Sequence, residues 1–164
     1  MLKVLIAEDM HMMRGALVAL LELEHDLTVV ASVDRGDLIV PAACKHRPDV
    51  AIIDVDIPNI DGLTAAKMLH EELPSCRTMI LTGLGRPGTL RRALAAQVSG
   101  FLLKDTPSER LAEAVREVAS GRRIVDPQLA MTAWDIGENP MSEREVQVLK
   151  LLAKGAEPNE IAAA

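Results

Sequence analysis

The sequence predicts an α/β fold in which a doubly wound parallel sheet is covered by helices on both faces. Five short apolar runs alternate with five helical segments over residues 1–121, an order typical of parallel strands joined by right-handed crossovers. The run at residues 50–53 is apolar throughout, as expected for a strand buried on both faces. Polar residues directly follow four of the runs, where the carboxyl ends of parallel strands border a crevice.

The five predicted strands share a short length and a high content of Val, Ile and Leu. They comprise residues 2–7, 27–33, 50–53, 78–81 and 100–103. The predicted helices connect these strands at residues 10–23, 36–46, 63–73 and 87–98, and the last one begins after Thr106. Thr106 has the pattern of an N-cap, with Pro107 at the first helical position and Glu109 completing a capping box. Gly121 is expected to end this helix.

The chain changes character after the last predicted helix. Residues 122–140 contain Pro127, Gly137 and Pro140 and are interpreted as a linker. Residues 141–164 predict an incomplete helical segment, in which Ser142 is an N-cap. One and a half helices do not bury a core of their own, so this segment is a fragment of a larger domain or packs on the first domain.

Composition limits the classes of function. The chain has 164 residues, 49% of them hydrophobic, which suits one domain with a short appendage. Its net charge of −6 argues against nucleic-acid binding through bulk charge. Cys44 and Cys76 lack metal-ligand spacing, so reduced thiols are expected. No signal-peptide pattern and no apolar stretch long enough to span a bilayer occur, which favours a cytoplasmic protein without membrane insertion.

The polar residues at the strand ends are expected to meet at one edge of the sheet. They are Glu8, Asp9, Asp54, Thr82 and Lys104. Three carboxylates at close range resist joint ionisation, so the cluster requires a cation. Oxygen ligands without His or Cys favour Mg²⁺, which completes its shell with water and phosphate. An ammonium and a hydroxyl beside such a metal suit a phosphoryl group.

Asp54 is central in this set and is the predicted nucleophile, which would form an aspartyl phosphate. Glu8, Asp9 and Asp54 would hold the metal, and the backbone carbonyl of Asp56 could add a ligand. Two plainer interpretations remain open at this point. Asp54 could only cap the loop after its strand, and Lys104 could only form a structural ion pair with one of the acids.

These residues also carry a family resemblance. The acidic pair Glu8-Asp9, the sequence IIDVDIPNIDG around Asp54, LTG at Thr82 and SGFLLKD with Lys104 occur in the order found in bacterial two-component response regulators. The chain therefore resembles that family, and its tail MSEREVQVLKLLAKGAEPNEIA adds a resemblance to the NarL/FixJ class. The resemblance implies a receiver domain over residues 1–121 with a flavodoxin-like (βα)5 fold and strand order 2-1-3-4-5. Residues 141–164 resemble the opening of a LuxR-type helix-turn-helix domain, with the linker at 122–140 between them.

The resemblance implies a phosphorylation-controlled switch. A sensor histidine kinase would supply the phosphoryl group to Asp54 in a Mg²⁺-dependent step, and Thr82 and Lys104 would be drawn toward it. The aromatic switch residue of the family would be Phe101, although Phe101 could equally be a permanent core residue. The expected output is a homodimer that controls transcription. DNA would be bound only through the remainder of the helix-turn-helix domain, because no recognition helix is present in this chain.

Two positions depart from the family pattern. Asp105 follows the lysine where many receivers have proline, which leaves the geometry of the Lys104–Asp105 peptide open. Glu157 stands where the LuxR-type pattern offers a serine N-cap.

Two other functions compete with this interpretation. Asp54 and Asp56 form the DxD spacing of aspartate-nucleophile phosphatases, although phosphatases of the haloacid dehalogenase type usually follow that pair with Thr and place it on the first strand. Pro58 and the third strand do not match that pattern. A receiver that acts only as a protein-binding module is the third possibility, and the intact acidic set argues against it. Apart from phosphorylation and dephosphorylation of its own Asp54, no enzymatic activity is expected.

Overall fold

Strands form at each of the five predicted apolar runs, and a sixth strand follows them. The computed structural model describes residues 1–83 and 89–125. The strands are β1 (Leu2–Ala7), β2 (Leu27–Val33), β3 (Val50–Asp54), β4 (Arg77–Thr82), β5 (Gly100–Leu103) and β6 (Ile124–Val125). They form one parallel sheet in the order β2-β1-β3-β4-β5-β6. The predicted flavodoxin-like order 2-1-3-4-5 is therefore confirmed.

The sixth strand was not predicted, and its residues lie in the range interpreted as a linker. Ile124 and Val125 pair with Gly100 and Phe101 of β5, and both residues are buried. Two residues are too few to show the alternation by which a strand is recognised in sequence. The sheet thus continues past Gly121, where the sequence interpretation ended the last helix of the first domain.

Helices cover both faces of the sheet. They are α1 (His11–Glu22), α2 (Ile39–His46), which follows a 3₁₀ turn at Gly36–Leu38, α3 (Gly62–Glu72), α4 (Thr89–Ala95) and α5 (Ser108–Ala119). Alternate strand residues point to opposite faces. Val4 and Ile6 pack in the cluster formed with α1 and α5, while Leu5 and Ala7 pack in the cluster formed with α2, α3 and α4. The sheet is therefore buried on both sides, as the apolar strands predict.

The predicted capping box at the start of α5 is wrong. The N-cap residue is Pro107, and no side chain caps this end of the helix. The Thr106 hydroxyl instead donates to the Leu103 carbonyl at 2.6 Å. A threonine side chain can satisfy either a helix amide or a nearby carbonyl. Here the hydroxyl bonds the Leu103 carbonyl, which also accepts from the backbone N–H of Thr106 at 3.1 Å. Gly121 does end the helix, with a φ of 103° that favours glycine.

The loop between β3 and α3 is fixed by backbone contacts that depend on Gly36. The Gly36 N–H donates to the Pro58 carbonyl at 2.9 Å. A Cβ atom at position 36 would lie 1.7 Å from the Ile60 carbonyl oxygen. Only glycine permits this approach, so the turn before α2 is packed directly against the loop that follows Asp54.

Some predictions fall outside the described residues. These concern the remainder of the linker, the helical segment at 141–164 with Ser142 and Glu157, and the first residues of the fourth helix. They stay predictions. In the part of the chain that the structure describes, no helix has the length and apolar character needed to cross a bilayer.

We predict that Gly36→Ala destabilises the protein by about 1–3 kcal/mol, because the added methyl group must displace the Ile60 carbonyl. Urea denaturation followed by circular dichroism measures this free energy of unfolding. Gly15→Ala is the matched control, since Gly15 lies in α1 and a Cβ there meets nothing within 4 Å. That substitution should stabilise the protein by roughly 0.5–1 kcal/mol. Equal effects of the two substitutions would contradict the role given to Gly36.

Candidate functional site

The carboxyl ends of four neighbouring strands form the candidate site. Glu8 follows β1, Asp54 is the last residue of β3, Thr82 is the last residue of β4, and Lys104 follows β5. The strand order reverses direction between β1 and β3, the position at which open α/β sheets bind ligands. The parallel register brings these residues together, as their positions at the strand ends predict.

Three carboxylates meet at this switch point. Glu8, Asp9 and Asp54 each offer an oxygen atom, and these atoms lie within 4.8 Å of one another. Glu8 is 1% exposed and Asp54 is 3% exposed, whereas Asp9 is exposed. The cluster therefore has a buried floor made by two acids and an open side at Asp9, which leaves it accessible to a ligand from solvent.

Lys104 contacts both buried acids. Its ammonium lies 3.1 Å from Asp54 Oδ1 and 3.3 Å from Glu8 Oε1. Burial alone would lower the pKa of Lys104, but the hydrogen bonds and charges of Asp54 and Glu8 outweigh it and raise the pKa. The lysine therefore stays charged at neutral pH. One ammonium does not balance three carboxylates, so the cluster retains an excess of negative charge.

Glu8 is the member of the cluster whose surroundings satisfy it least. Its Oε2 atom is buried and has no hydrogen-bond partner among the described residues. Burial, followed by the hydrogen bond and charge of Asp54, raises the pKa of Glu8 from 4.5 to about 7, although Lys104 acts in the opposite direction. An unpaired buried carboxylate oxygen beside two further carboxylates is a hard ligand set, which fits Mg²⁺.

Asp54 is oriented by the loop that follows it. The backbone N–H of Asp56 donates to Asp54 Oδ1 at 3.2 Å, and the same oxygen faces the Lys104 ammonium. A backbone N–H and an ammonium, both hydrogen-bond donors, therefore converge on one oxygen of the carboxylate. This contact involves the amide of Asp56, so its backbone carbonyl as a metal ligand stays a prediction.

Thr82 and Phe101 lie in the adjoining part of the sheet. Thr82 is 2% exposed, and its carbonyl accepts the Lys104 N–H at 2.8 Å. Phe101 pairs with Ile80 across β4 and β5 and is 1% exposed in the core. The aromatic ring is therefore inside the protein in this structure. No cis peptide bond occurs among the described residues, so the Lys104–Asp105 peptide is trans.

The sequence interpretation missed Arg14. This half-buried residue lies on α1, and its Nη1 donates to the Glu8 backbone carbonyl at 2.8 Å. Its Nη2 lies 2.8 Å from His11 Nδ1. The only sequence signal is that Arg14 follows the acidic pair by about one helical turn, and that spacing alone does not single it out.

The fold and this edge cluster define a receiver domain of a response regulator. The sequence matches the response regulator receiver domain family over residues 4–116, and the chain belongs to that family. It is similar to curated transcription regulators over nearly its whole length. It is 44% identical over 162 residues to the transcriptional regulatory protein DesR of Bacillus subtilis, covering 99% of this chain and 80% of DesR. It is 28% identical over 169 residues to the response regulator protein VraR of Staphylococcus aureus, covering 99% of this chain and 81% of VraR.

Solved structures share the fold. A DNA-binding response regulator of the LuxR family from Staphylococcus aureus superposes with a TM-score of 0.69 at 28% identity, covering 73% of this chain and 99% of that chain. The receiver domain of AraT, a response regulator from Geobacillus stearothermophilus, has a TM-score of 0.65 at 35% identity, covering 73% of this chain and 93% of that chain. The resemblance inferred from the sequence motifs is therefore confirmed at the level of the family, with relatives among transcription regulators of the LuxR type.

We predict that Glu8→Gln stabilises the metal-free protein at pH 8 more than at pH 5. The pKa of Glu8 is raised from 4.5 to about 7 in the folded protein. Glu8 therefore costs no stability below pH 4.5, where it is protonated in the folded and the unfolded chain, and it lowers the free energy of unfolding as the pH rises through 7. Glutamine does not ionise, so it removes the free-energy cost of the buried charge at high pH, which is on the order of a few kcal/mol. Urea denaturation in EDTA at both pH values measures the free energy of unfolding.

A matched substitution tests whether burial causes this effect. Glu113 lies on α5 with a side chain that is 60% exposed, so Glu113→Gln should leave the pH dependence unchanged. A Glu8→Gln protein that is less stable than the wild type at pH 8 would contradict the conclusion that the buried charge of ionised Glu8 destabilises the fold.

Proposed function

We propose that this response regulator is a phosphorylation-controlled switch of a two-component system. A sensor histidine kinase would transfer a phosphoryl group to Asp54, and the modified protein would dimerise and control transcription in the cytoplasm. The observation that supports this most strongly is the buried Asp54 carboxylate, 3.1 Å from the Lys104 ammonium and grouped with Glu8 and Asp9. Relatives named as transcription regulators support the output.

The acceptor chemistry follows from the two oxygens of Asp54. Oδ1 accepts from the Asp56 amide and faces Lys104, so we assign Oδ2 as the attacking atom. A bond forms between Oδ2 and phosphorus while the phosphorus–nitrogen bond of the kinase phosphohistidine breaks, and its electron pair remains on the imidazole nitrogen. Lys104 would stay beside the product, where its ammonium offsets the added negative charge.

The metal requirement follows from the charge of the site. Glu8, Asp9 and Asp54, with the Asp56 backbone carbonyl, would hold Mg²⁺, and the unpaired Oε2 of Glu8 supports this assignment. Bound Mg²⁺ would neutralise the carboxylates and withdraw charge from the phosphoryl oxygens. Glu8 must be ionised to bind a metal, so its proton would be released on binding.

The proposed switch connects Asp54 to the β4–β5 side of the domain. Thr82 would donate its hydroxyl to the new phosphoryl oxygens, and because its carbonyl also accepts from Lys104, the two residues would move together. Phe101 has no phenolic hydroxyl to satisfy, which suits a ring that is held inside the core. The surface formed by the neighbouring helices would then change and promote a homodimer.

Transcription control would require a DNA-binding domain. We assign it to the LuxR-type helix-turn-helix domain of which residues 141–164 would form the first part. No DNA-contacting residue is assigned within this chain. The receiver is therefore proposed to affect DNA binding indirectly, by forming a dimer when it is phosphorylated.

Phosphorylation can be tested with acetyl phosphate and Mg²⁺ followed by intact mass measurement. We predict the gain of one phosphoryl group, its absence without Mg²⁺, and its loss in Asp54→Asn. Asp61→Asn is a suitable control, because Asp61 is a nearby acid that caps α3 and asparagine caps equally well. Steady hydrolysis of many phosphomonoesters without a phosphorylated protein would contradict the proposal and favour an aspartate-nucleophile phosphatase.

Dimerisation can be tested by light scattering with and without beryllofluoride and Mg²⁺. We expect the mass to double on addition for the wild type and to stay that of a monomer for Asp54→Asn. An unchanged mass, together with unchanged amide spectra near Thr82 and Phe101, would contradict the switch and favour a protein-binding module.

A further inference from the structure

The backbone between β1 and α1 carries two of the three clustered carboxylates, and one peptide unit joins them. The N–H of Glu8 donates to the Val33 carbonyl of β2 at 3.0 Å. The Glu8 carbonyl, which belongs to the peptide linking Glu8 to Asp9, accepts from Arg14 Nη1 at 2.8 Å. Because a peptide unit is planar, holding this oxygen fixes the rotation of the whole Glu8–Asp9 link.

These two hydrogen bonds restrain the main chain from which both carboxylates extend. Glu8 is tied to β2 through its N–H and to α1 through its carbonyl, so the backbone positions from which the Glu8 and Asp9 side chains leave are held between two elements. Both side chains must converge with Asp54 to keep their oxygens within 4.8 Å. The guanidinium of Arg14 thus holds the backbone of the acidic cluster from α1, without touching a carboxylate of the cluster in the described hydrogen bonds.

The partners of Arg14 argue against a role as a simple counter-charge. Its guanidinium carries donors only, so Nη2 donates to His11 Nδ1 at 2.8 Å and Nη1 donates to the Glu8 carbonyl. Three carboxylates lie at the adjoining strand ends, yet the described hydrogen bonds of this arginine go to a backbone carbonyl and an imidazole. Lys104, in contrast, pairs directly with the two buried acids.

We infer that Arg14 is a positioning residue for the divalent cation site, acting through the Glu8–Asp9 peptide. The inference rests on the proposed function, because it concerns the Mg²⁺ that Glu8, Asp9 and Asp54 are proposed to hold. Residues that orient metal ligands from outside the coordination shell typically change metal affinity by 10–100-fold when they are removed.

The two roles open to Arg14 predict opposite signs. Removing a positive charge close to a cation site should tighten cation binding, because repulsion between like charges is lost. Removing a group that aims the ligands should weaken cation binding, even though the net charge near the site becomes more favourable. The sign of the change in Mg²⁺ affinity therefore separates positioning from charge.

The experiment is a Mg²⁺ titration of the full chain at pH 8, followed by ¹⁵N amide chemical shifts. We expect Arg14→Ala to weaken Mg²⁺ binding by about tenfold. Arg14→Lys should recover part of the loss, because an ammonium can donate to the Glu8 carbonyl but lacks the planar fork that also reaches His11. Lys45→Ala is the control, since Lys45 lies in the last turn of α2, which leads into the amino end of β3. This variant removes a charge far from the site and should leave the affinity unchanged.

Tighter or unchanged Mg²⁺ binding by Arg14→Ala overturns the inference. Melting temperatures are measured in parallel, and a lower melting temperature with wild-type affinity also overturns it, because Arg14 would then be structural only. If Arg14→Ala does not fold, Arg14→Lys decides: weaker binding than the wild type supports positioning, and equal or tighter binding contradicts it. Failure of the proposed function appears separately, as a wild-type protein that neither binds Mg²⁺ nor becomes phosphorylated.

Discussion

Repulsion among three carboxylates at one edge of the sheet is the constraint on which the account of this protein depends. Glu8 and Asp54 are buried, Asp9 borders the cluster on its solvent side, and Lys104 supplies a single ammonium. A protein interior does not hold such charge without cost. Burial first, and then the hydrogen bond and charge of Asp54, raise the pKa of Glu8, and its Oε2 has no hydrogen-bond partner among the described residues. An acidic cluster of this kind fits a divalent cation, which would offset the charge of the carboxylates.

The parallel sheet imposes that proximity. Apolar residues on both faces bury β3 throughout and β1 from Val4 to Ala7, so their register is fixed by packing on two sides. The acids at their ends cannot move apart without shifting the strands from both cores. The packing of the strands therefore keeps the acids close together in spite of their mutual repulsion. The proposed phosphorylation of Asp54 would act on Thr82 and Phe101 through the pairing of β3 with β4 and of β4 with β5.

The sequence was sufficient to predict five of the strands and the convergence of the acids with Lys104, because these follow from hydrophobic periodicity and from parallel topology. The order of the strands came from the family resemblance. The sequence prediction failed where one side chain had two satisfactory partners, as for the Thr106 hydroxyl, which bonds a strand-end carbonyl instead of a helix amide. It also failed for β6, which is too short for a periodic signal. The contact of Gly36 with Ile60 joins two turns, and that of Arg14 with Glu8 joins α1 to the end of β1. No local sequence pattern encodes the relative positions of these segments.

The central claim is that Glu8, Asp9 and Asp54 together bind a divalent cation beside the acceptor oxygen. Crystals soaked in Mn²⁺, measured at a wavelength where manganese scatters anomalously, test it most directly. The account predicts one anomalous peak within coordination distance of all three carboxylates, with Lys104 remaining on Asp54. A peak elsewhere on the molecule, or none at this edge of the sheet while the three acids remain clustered, would contradict it.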